Sequence, residues 1–128
     1  MIGSFHIAAR LSMSKHHHIN YIEIPASAME ASKDFFKKVF DWQFIDYGPD
    51  YASFGNAGID GGFYRSDQKA LTSSGSVLVV LYSQDLESTL AKVEAAGGVV
   101  IKPIFSFPGG RRFQFLDPSG NEFAVWSE

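Results

Sequence analysis

Two acidic side chains stand in segments that otherwise alternate like strands: Glu23 within Ile19 to Pro25 (I-N-Y-I-E-I-P), and Glu122 at the head of the closing E-F-A-V-W. Successive strand residues point to opposite faces, so Tyr21 shares a face with Glu23, and Ala124 shares one with Glu122. The same parity puts Arg112 and Gln114 on one face of the segment Arg112 to Leu116. If these faces line one cavity, the groups form a polar recognition cluster, or set a carboxylate as base beside a substrate carbonyl, with Arg112 as a counter-charge for a buried carboxylate. Tyr21, Tyr51 and Tyr64 would give that cavity an aromatic wall with hydroxyl tips. The catalytic candidates are Glu23 and Glu122. Ordinary core packing for the tyrosines, and mutual satisfaction at a cavity rim for the polar groups, are the competing explanations.

Several chemistries are excluded at once. The chain has no Cys, so it has no disulfide framework, zinc ribbon or thiol nucleophile, and a reducing cytoplasm is its expected location. All four His residues (His6, His16, His17 and His18) precede the first strand, so no imidazole can come from the second half of the chain. The His16 to His18 run reads as a solvated segment. A formal net charge of -3 with intermingled signs, and a single Arg pair at Arg111 and Arg112, leaves no basic stripe for nucleic acid. No run reaches membrane-spanning length, and Met1 to Ser14 lacks the unbroken apolar stretch of a secretory signal. Residues 1–18 read as a tail, and Met13 is an alternative start to Met1.

The elements that must position the candidates follow from periodicity. With 128 residues, 45% hydrophobic and rich in Phe, the chain fits one α+β domain over residues 19–128. After the first strand, Ser27 with Glu30 three residues on suggests a capping box. It would open a helix whose apolar stripe is Met29, Phe35, Phe36, Val39 and Phe40 and which ends near Asp41. Closely spaced turn residues then divide Trp42 to Tyr47, Tyr51 to Phe54 and Ile59 to Arg65 into three strands. The polar stretch 66–76 reads as a linker. The order then recurs: a strand at Val77 to Tyr82, a helix from Asp85 to Ala96 stopped by Gly97 and Gly98, and strands at Val99 to Phe105, Arg112 to Leu116 and Glu122 to Trp126. This gives two βαβββ modules, 19–65 and 77–127.

That duplicated order, the closing F-Q-F-L-D-P-S-G-N-E-F-A-V-W and the helix-to-strand run A-S-K-D-F-F-K-K-V-F-D-W-Q-F together resemble the vicinal-oxygen-chelate superfamily of glyoxalases, bleomycin-resistance proteins and extradiol dioxygenases. The run G-I-D-G-G-F-Y-R is similar to the fourth strand of its small members, with Gly61 and Gly62 allowing close approach of backbone or ligand. The resemblance implies a curled, U-shaped mixed sheet around a cavity. It also implies that the candidates above face that cavity.

In the catalytic members of that superfamily a divalent metal is gripped by His, Gln or Glu from four strands. The corresponding positions here are Tyr21, the Gly61 to Tyr64 run, Leu78 and Ala124, a set unsuited to a divalent cation. Sliding the register brings no His into place: His18 has the wrong parity and His17 sits ~13 Å further back. The expectation is therefore no metal and no cofactor, with ligand contacts from Tyr21, Glu23, Tyr51, Tyr64, Leu78, Arg112, Gln114, Glu122 and Ala124. Three functions stay open: a small-molecule binding module, a divergent lyase or isomerase, and a structural or protein-interaction role. A homodimer is expected, with the closing strand, Phe123 to Trp126, as an edge that a partner could cover.

Overall fold

The computed structural model describes residues 14–128, so the question of Met1 or Met13 lies outside the described residues, as does His6. The alternation around Glu23 forms β1 (Tyr21–Ala26), followed by α1 (Met29–Phe40), β2 (Gln43–Asp46), β3 (Tyr51–Gly55) and β4 (Asp60–Arg65). After a 3₁₀ turn at Thr72–Ser74 come β5 (Val79–Tyr82), α2 (Leu86–Ala95), β6 (Val99–Phe107), β7 (Gly110–Leu116) and β8 (Glu122–Ser127). Two mixed sheets result, ordered β1-β4-β3-β2 and β5-β8-β7-β6, with β1-β4 and β5-β8 parallel. Neither sheet closes on itself and no ladder joins them.

One expectation is corrected here. The closing strand is not an edge: β8 lies between β5 and β7, and Phe123 is buried, because the parallel crossover leaves β5 and β6 outermost. Residues 66–76, which join the two modules, are also tied down. The Glu122 amide donates to Ala70 O at 2.9 Å, and the Ala70 amide donates to Asn121 Oδ1 at 2.8 Å, tying the segment to the head of β8.

The stripe of α1 buries Met29, Phe35 and Phe36, with Val39 and Phe40 packed beside them. Asp41 ends the helix in the left-handed region at φ 60°, its amide bonded to Lys37 O. The expected capping box does not form. The cap residue is Ala28, without a side-chain cap of its own, and Glu30 instead pairs with Lys33 at 2.9 Å. The cap comes from the distant β7–β8 turn, where Ser119 Oγ accepts from the Ala28 amide at 3.1 Å and lies 2.6 Å from Ser32 Oγ. At α2, Asp85 caps conventionally, accepting from the Ser88 amide at 3.1 Å.

The β7–β8 turn works as its sequence implies. Asp117 Oδ1 accepts from the amides of Ser119 (3.1 Å) and Asn121 (2.8 Å), and Gly120 takes φ 84°. Asn121 then reaches across to the first half, donating to Pro25 O at 2.6 Å. Phe36 lies 5.7 Å from Phe63 and 4.9 Å from Phe123, centroid to centroid, so the apolar faces of both sheets close on one shared core. Their other faces are left to carry the polar candidates. Among the described residues no helix is long and apolar enough to cross a membrane.

Candidate functional site

Strand register arranges the non-core face of the first sheet in rows. Glu23 stands opposite Gly62, which is opposite Ser53, which is opposite Ile45. Tyr64 and Tyr51 stand opposite each other in the next row, continued by Tyr47, whose amide bonds Tyr51 O at 2.9 Å. Tyr21, opposite Asp60, stands on the other side. Four of the five tyrosines thus share this face.

Three of the predicted residues meet directly. Tyr51 donates to Glu23 Oε2 at 2.9 Å, and the Tyr21 and Tyr51 hydroxyls are 2.7 Å apart. A carboxylate only accepts and a phenol has one proton, so the chain of donation runs Tyr21 to Tyr51 to Glu23. Burial, followed by the bonds to Tyr21 and Glu23, raises the Tyr51 phenol far above its ordinary value. Burial also raises Tyr21, although the bond to Tyr51 opposes it. Both phenols stay protonated at neutral pH and cannot act as anionic ligands.

Gly62 makes the arrangement possible. Tyr51 lies across it diagonally, and a Cβ there would fall on the Tyr51 hydroxyl and ring. Gly62→Ala is therefore expected to unseat Tyr51. In an alkaline absorbance titration fewer tyrosines should ionise late in the variant than in the parent; an unchanged late fraction would contradict this placement.

The second sheet has matching rows. Tyr82, Trp126, Arg112 and Phe105 stand side by side across β5, β8, β7 and β6, and Val80, Ala124, Gln114 and Lys102 form the row beside them. Gln114 Nε2 donates to Glu122 Oε2 at 2.5 Å, while Glu122 Oε1 accepts from the Thr72 amide and hydroxyl, each at 2.9 Å. Desolvation opposes ionisation of Glu122, but the Thr72 and Gln114 bonds, with Lys102 nearby, outweigh it and lower its pKa. With both oxygens engaged and its pKa lowered, Glu122 is a weaker base than an ordinary carboxylate. Glu23, exposed and bonded through one oxygen, is the better placed of the two catalytic candidates.

Arg112 is another correction, because aromatic rings rather than a carboxylate meet it. Its guanidinium carbon lies 5.3 Å from the Phe105 centroid and 5.8 Å from that of Phe107. Leu78 stands just before β5, which begins at Val79, so Val80 is the residue beside Ala124. The two halves meet at a cleft of ≈ 530 Å³ whose walls include Glu23, Tyr64, Lys69, Asn121 and Glu122. Trp126 and Phe105 could have been found by extending the strand parity from Ala124 and Arg112. Thr72, inside an apparent linker, carried no signal.

The superfamily implied by the sequence often uses a divalent metal, and the donor set here does not suit one. Among the described residues no group of three or more His, Cys, Asp or Glu is placed to hold an ion. The positions on β1, β4, β5 and β8 that answer to the superfamily's ligands are Tyr21, Gly62, Val80 and Ala124, and of the two carboxylate candidates on those faces Glu23 accepts from Tyr51 while Glu122 already satisfies both oxygens within the chain. His16 and His17 stack on each other in an exposed turn ahead of β1, their centroids 3.7 Å apart.

Two βαβββ modules with paired four-stranded sheets and polar faces opposite a shared core define the glyoxalase-type fold. The model of the Glyoxalase/Bleomycin resistance protein/Dioxygenase superfamily matches residues 18–125, and the chain belongs to that superfamily. A glyoxalase-related enzyme from Fulvimarina pelagi superposes with a TM-score of 0.73 at 18% identity, covering 88% of this chain and 89% of that one. The fosfomycin resistance protein FosX from Listeria monocytogenes gives 0.73 at 16% identity, covering 89% and 95%. Lactoylglutathione lyase from Agrobacterium tumefaciens gives 0.66 at 16%, covering 88% and 95%. At such identities the likeness is one of fold. No curated protein matches the chain significantly.

Proposed function

We propose that this chain is a metal-independent small-molecule binding protein, acting in the cytoplasm as a homodimer whose subunits enclose ligand between their polar sheet faces. One observation carries the reading. Where ion ligands would be needed the faces offer Tyr21, Gly62, Val80 and Ala124, yet beside them Ser53 Oγ, Arg112 Nε and Gln114 Oε1 are buried without a hydrogen-bond partner. Buried polar groups are nearly always satisfied, so unpaired groups on one kind of face point to a missing partner there. The dimer is favoured by Val80 and Tyr82, 45% and 49% exposed on β5 of that same face.

A thermal-shift screen across aromatic, glycosidic and anionic compounds tests the reading, because a ligand of the folded state raises the midpoint by mass action. Light scattering tests the dimer. Ligand-dependent shifts without metal, from a dimer, are expected; stoichiometric uptake of zinc, nickel, manganese or iron would overturn metal independence. The second reading, a divergent lyase or isomerase, draws on the Tyr21–Tyr51–Glu23 chain, which holds a carboxylate with one oxygen toward solvent. Turnover of a carbonyl substrate that Glu23→Gln abolishes would favour it. Silence in both assays would leave the structural or protein-interaction role.

A further inference from the structure

We propose that the Arg112 row of the second sheet is an anion-recognising subsite, taking a small aromatic carboxylate whose charged group is accompanied by a hydrogen-bond donor. This rests on the small-molecule reading above and specifies its ligand.

The Gln114 amide has only one workable orientation. Its Nε2 donates to Glu122 Oε2 at 2.5 Å, and turning the amide over would set two acceptor oxygens against each other. Oε1 therefore remains an acceptor, on a side chain 2% exposed, with no donor. A group left in that state costs free energy that a ligand donor would recover.

Arg112 stands two residues away on the same face. Of the three described arginines, Arg65 holds Asp50 at 2.9 Å and Arg111 holds Glu87 at 2.6 Å, while Arg112 has no carboxylate partner. Its Nε is buried and unbonded. Phe105 and Phe107 orient the guanidinium but provide no counter-ion. A partly buried cation in this state draws an anion strongly, and the guanidinium edge suits a carboxylate.

The surroundings supply the rest of the specificity. Trp126 lies 5.1 Å from Tyr82 and 6.4 Å from Phe107, so aromatic faces flank the guanidinium along its row. Ala124 stands opposite Gln114 and adds no polar group of its own to that row. An aromatic body packed on these rings brings its carboxylate to Arg112 and its N–H or O–H to Gln114 Oε1. A cation would be repelled, and a neutral donor would satisfy Gln114 alone.

Calorimetric titration of the full chain with four probes tests this: hippurate, which has a phenyl ring, amide N–H and carboxylate; its methyl ester; N-methylhippurate; and benzylamine. Hippurate is expected to bind, with esterification and N-methylation each weakening it about tenfold or more. Arg112→Leu should reproduce the loss seen with the ester and Arg112→Lys part of it. Gln114→Met should weaken hippurate while leaving N-methylhippurate unchanged, and thermal midpoints of all three variants report that they fold. Ester or benzylamine binding as tightly as hippurate overturns the anion subsite and leaves the small-molecule reading standing. Hits from the wider screen with none from hippurate do the same, leaving a trapped water as partner of both groups. No binding by any compound overturns both.

Discussion

Phe36→Ala is expected to lower the free energy of unfolding by about 3–5 kcal/mol, the range for truncating a fully buried aromatic ring. Phe36 is 0% exposed, stacks on Trp42 at 4.4 Å, and touches Phe35 and Phe40 on its own helix, Phe63 on the first sheet and Phe123 on the second. Its removal opens a cavity where both sheets meet, and neither can collapse into the gap without leaving the other. A small domain has only about 5–15 kcal/mol to lose, so the variant should populate unfolded chains at ordinary temperature. Urea unfolding followed by fluorescence and by far-UV dichroism measures the loss. Phe44, half-buried on β2 and 5.8 Å from Phe63, is the control, and Phe44→Ala should cost distinctly less. Equal losses would mean that the shared core is not centred on Phe36.

Asp117→Ala is expected to cost about 3 kcal/mol, because buried donors lose their acceptor together and an unsatisfied buried group costs about 1–3 kcal/mol. Those donors are the Ser119 and Asn121 amides on Oδ1 and the Ser32 hydroxyl on Oδ2, the last at 2.9 Å. The turn also presents Ser119 to the start of α1 and Asn121 to Pro25, so the loss spreads to the contact between the halves. Asp117→Asn should cost about a third as much, since its oxygen can accept both amides and Ser32 can turn its hydroxyl to accept from the new NH₂. The two variants also separate charge from hydrogen bonding. Burial raises the Asp117 pKa despite those bonds, so its contribution to stability is greatest below 3.8 and falls as pH rises through its folded value. The Asn variant should lack that fall. Unfolding curves at several acidic pH values measure it, and equal costs for Ala and Asn would mean that the turn does not depend on these acceptors.

Much of the architecture was legible because periodicity and turn chemistry are local. The spacing around Phe35 and Phe36, the alternation around Glu23 and the D-P-S-G-N turn each specify an element within a few residues, and their order specifies the superfamily. Strand parity likewise placed Tyr21 with Glu23, and Arg112 with Gln114, on their proper faces. Parity fails at partners, because it says which way a side chain points and not what stands opposite. Arg112 was matched to a carboxylate by charge alone, yet Phe105 occupies the opposing register position on β6, and that strand is irregular between Val100 and Phe105. Ser27 fitted a capping rule, but the Ala28 amide is capped by Ser119, ninety-one positions beyond Ala28 in the chain.

The amino-acid order by itself determined the elements, the faces of the strands and the absence of cysteine chemistry, because these depend on residue type and on neighbours within a few positions. Tertiary structure alone decided that β8 lies inside its sheet, that Thr72 and Gln114 together engage Glu122, and that Gln114 Oε1 and Arg112 Nε lack partners. Those outcomes depend on contacts between segments distant in sequence, whose free energy appears only when one packing arrangement brings them within hydrogen-bonding reach.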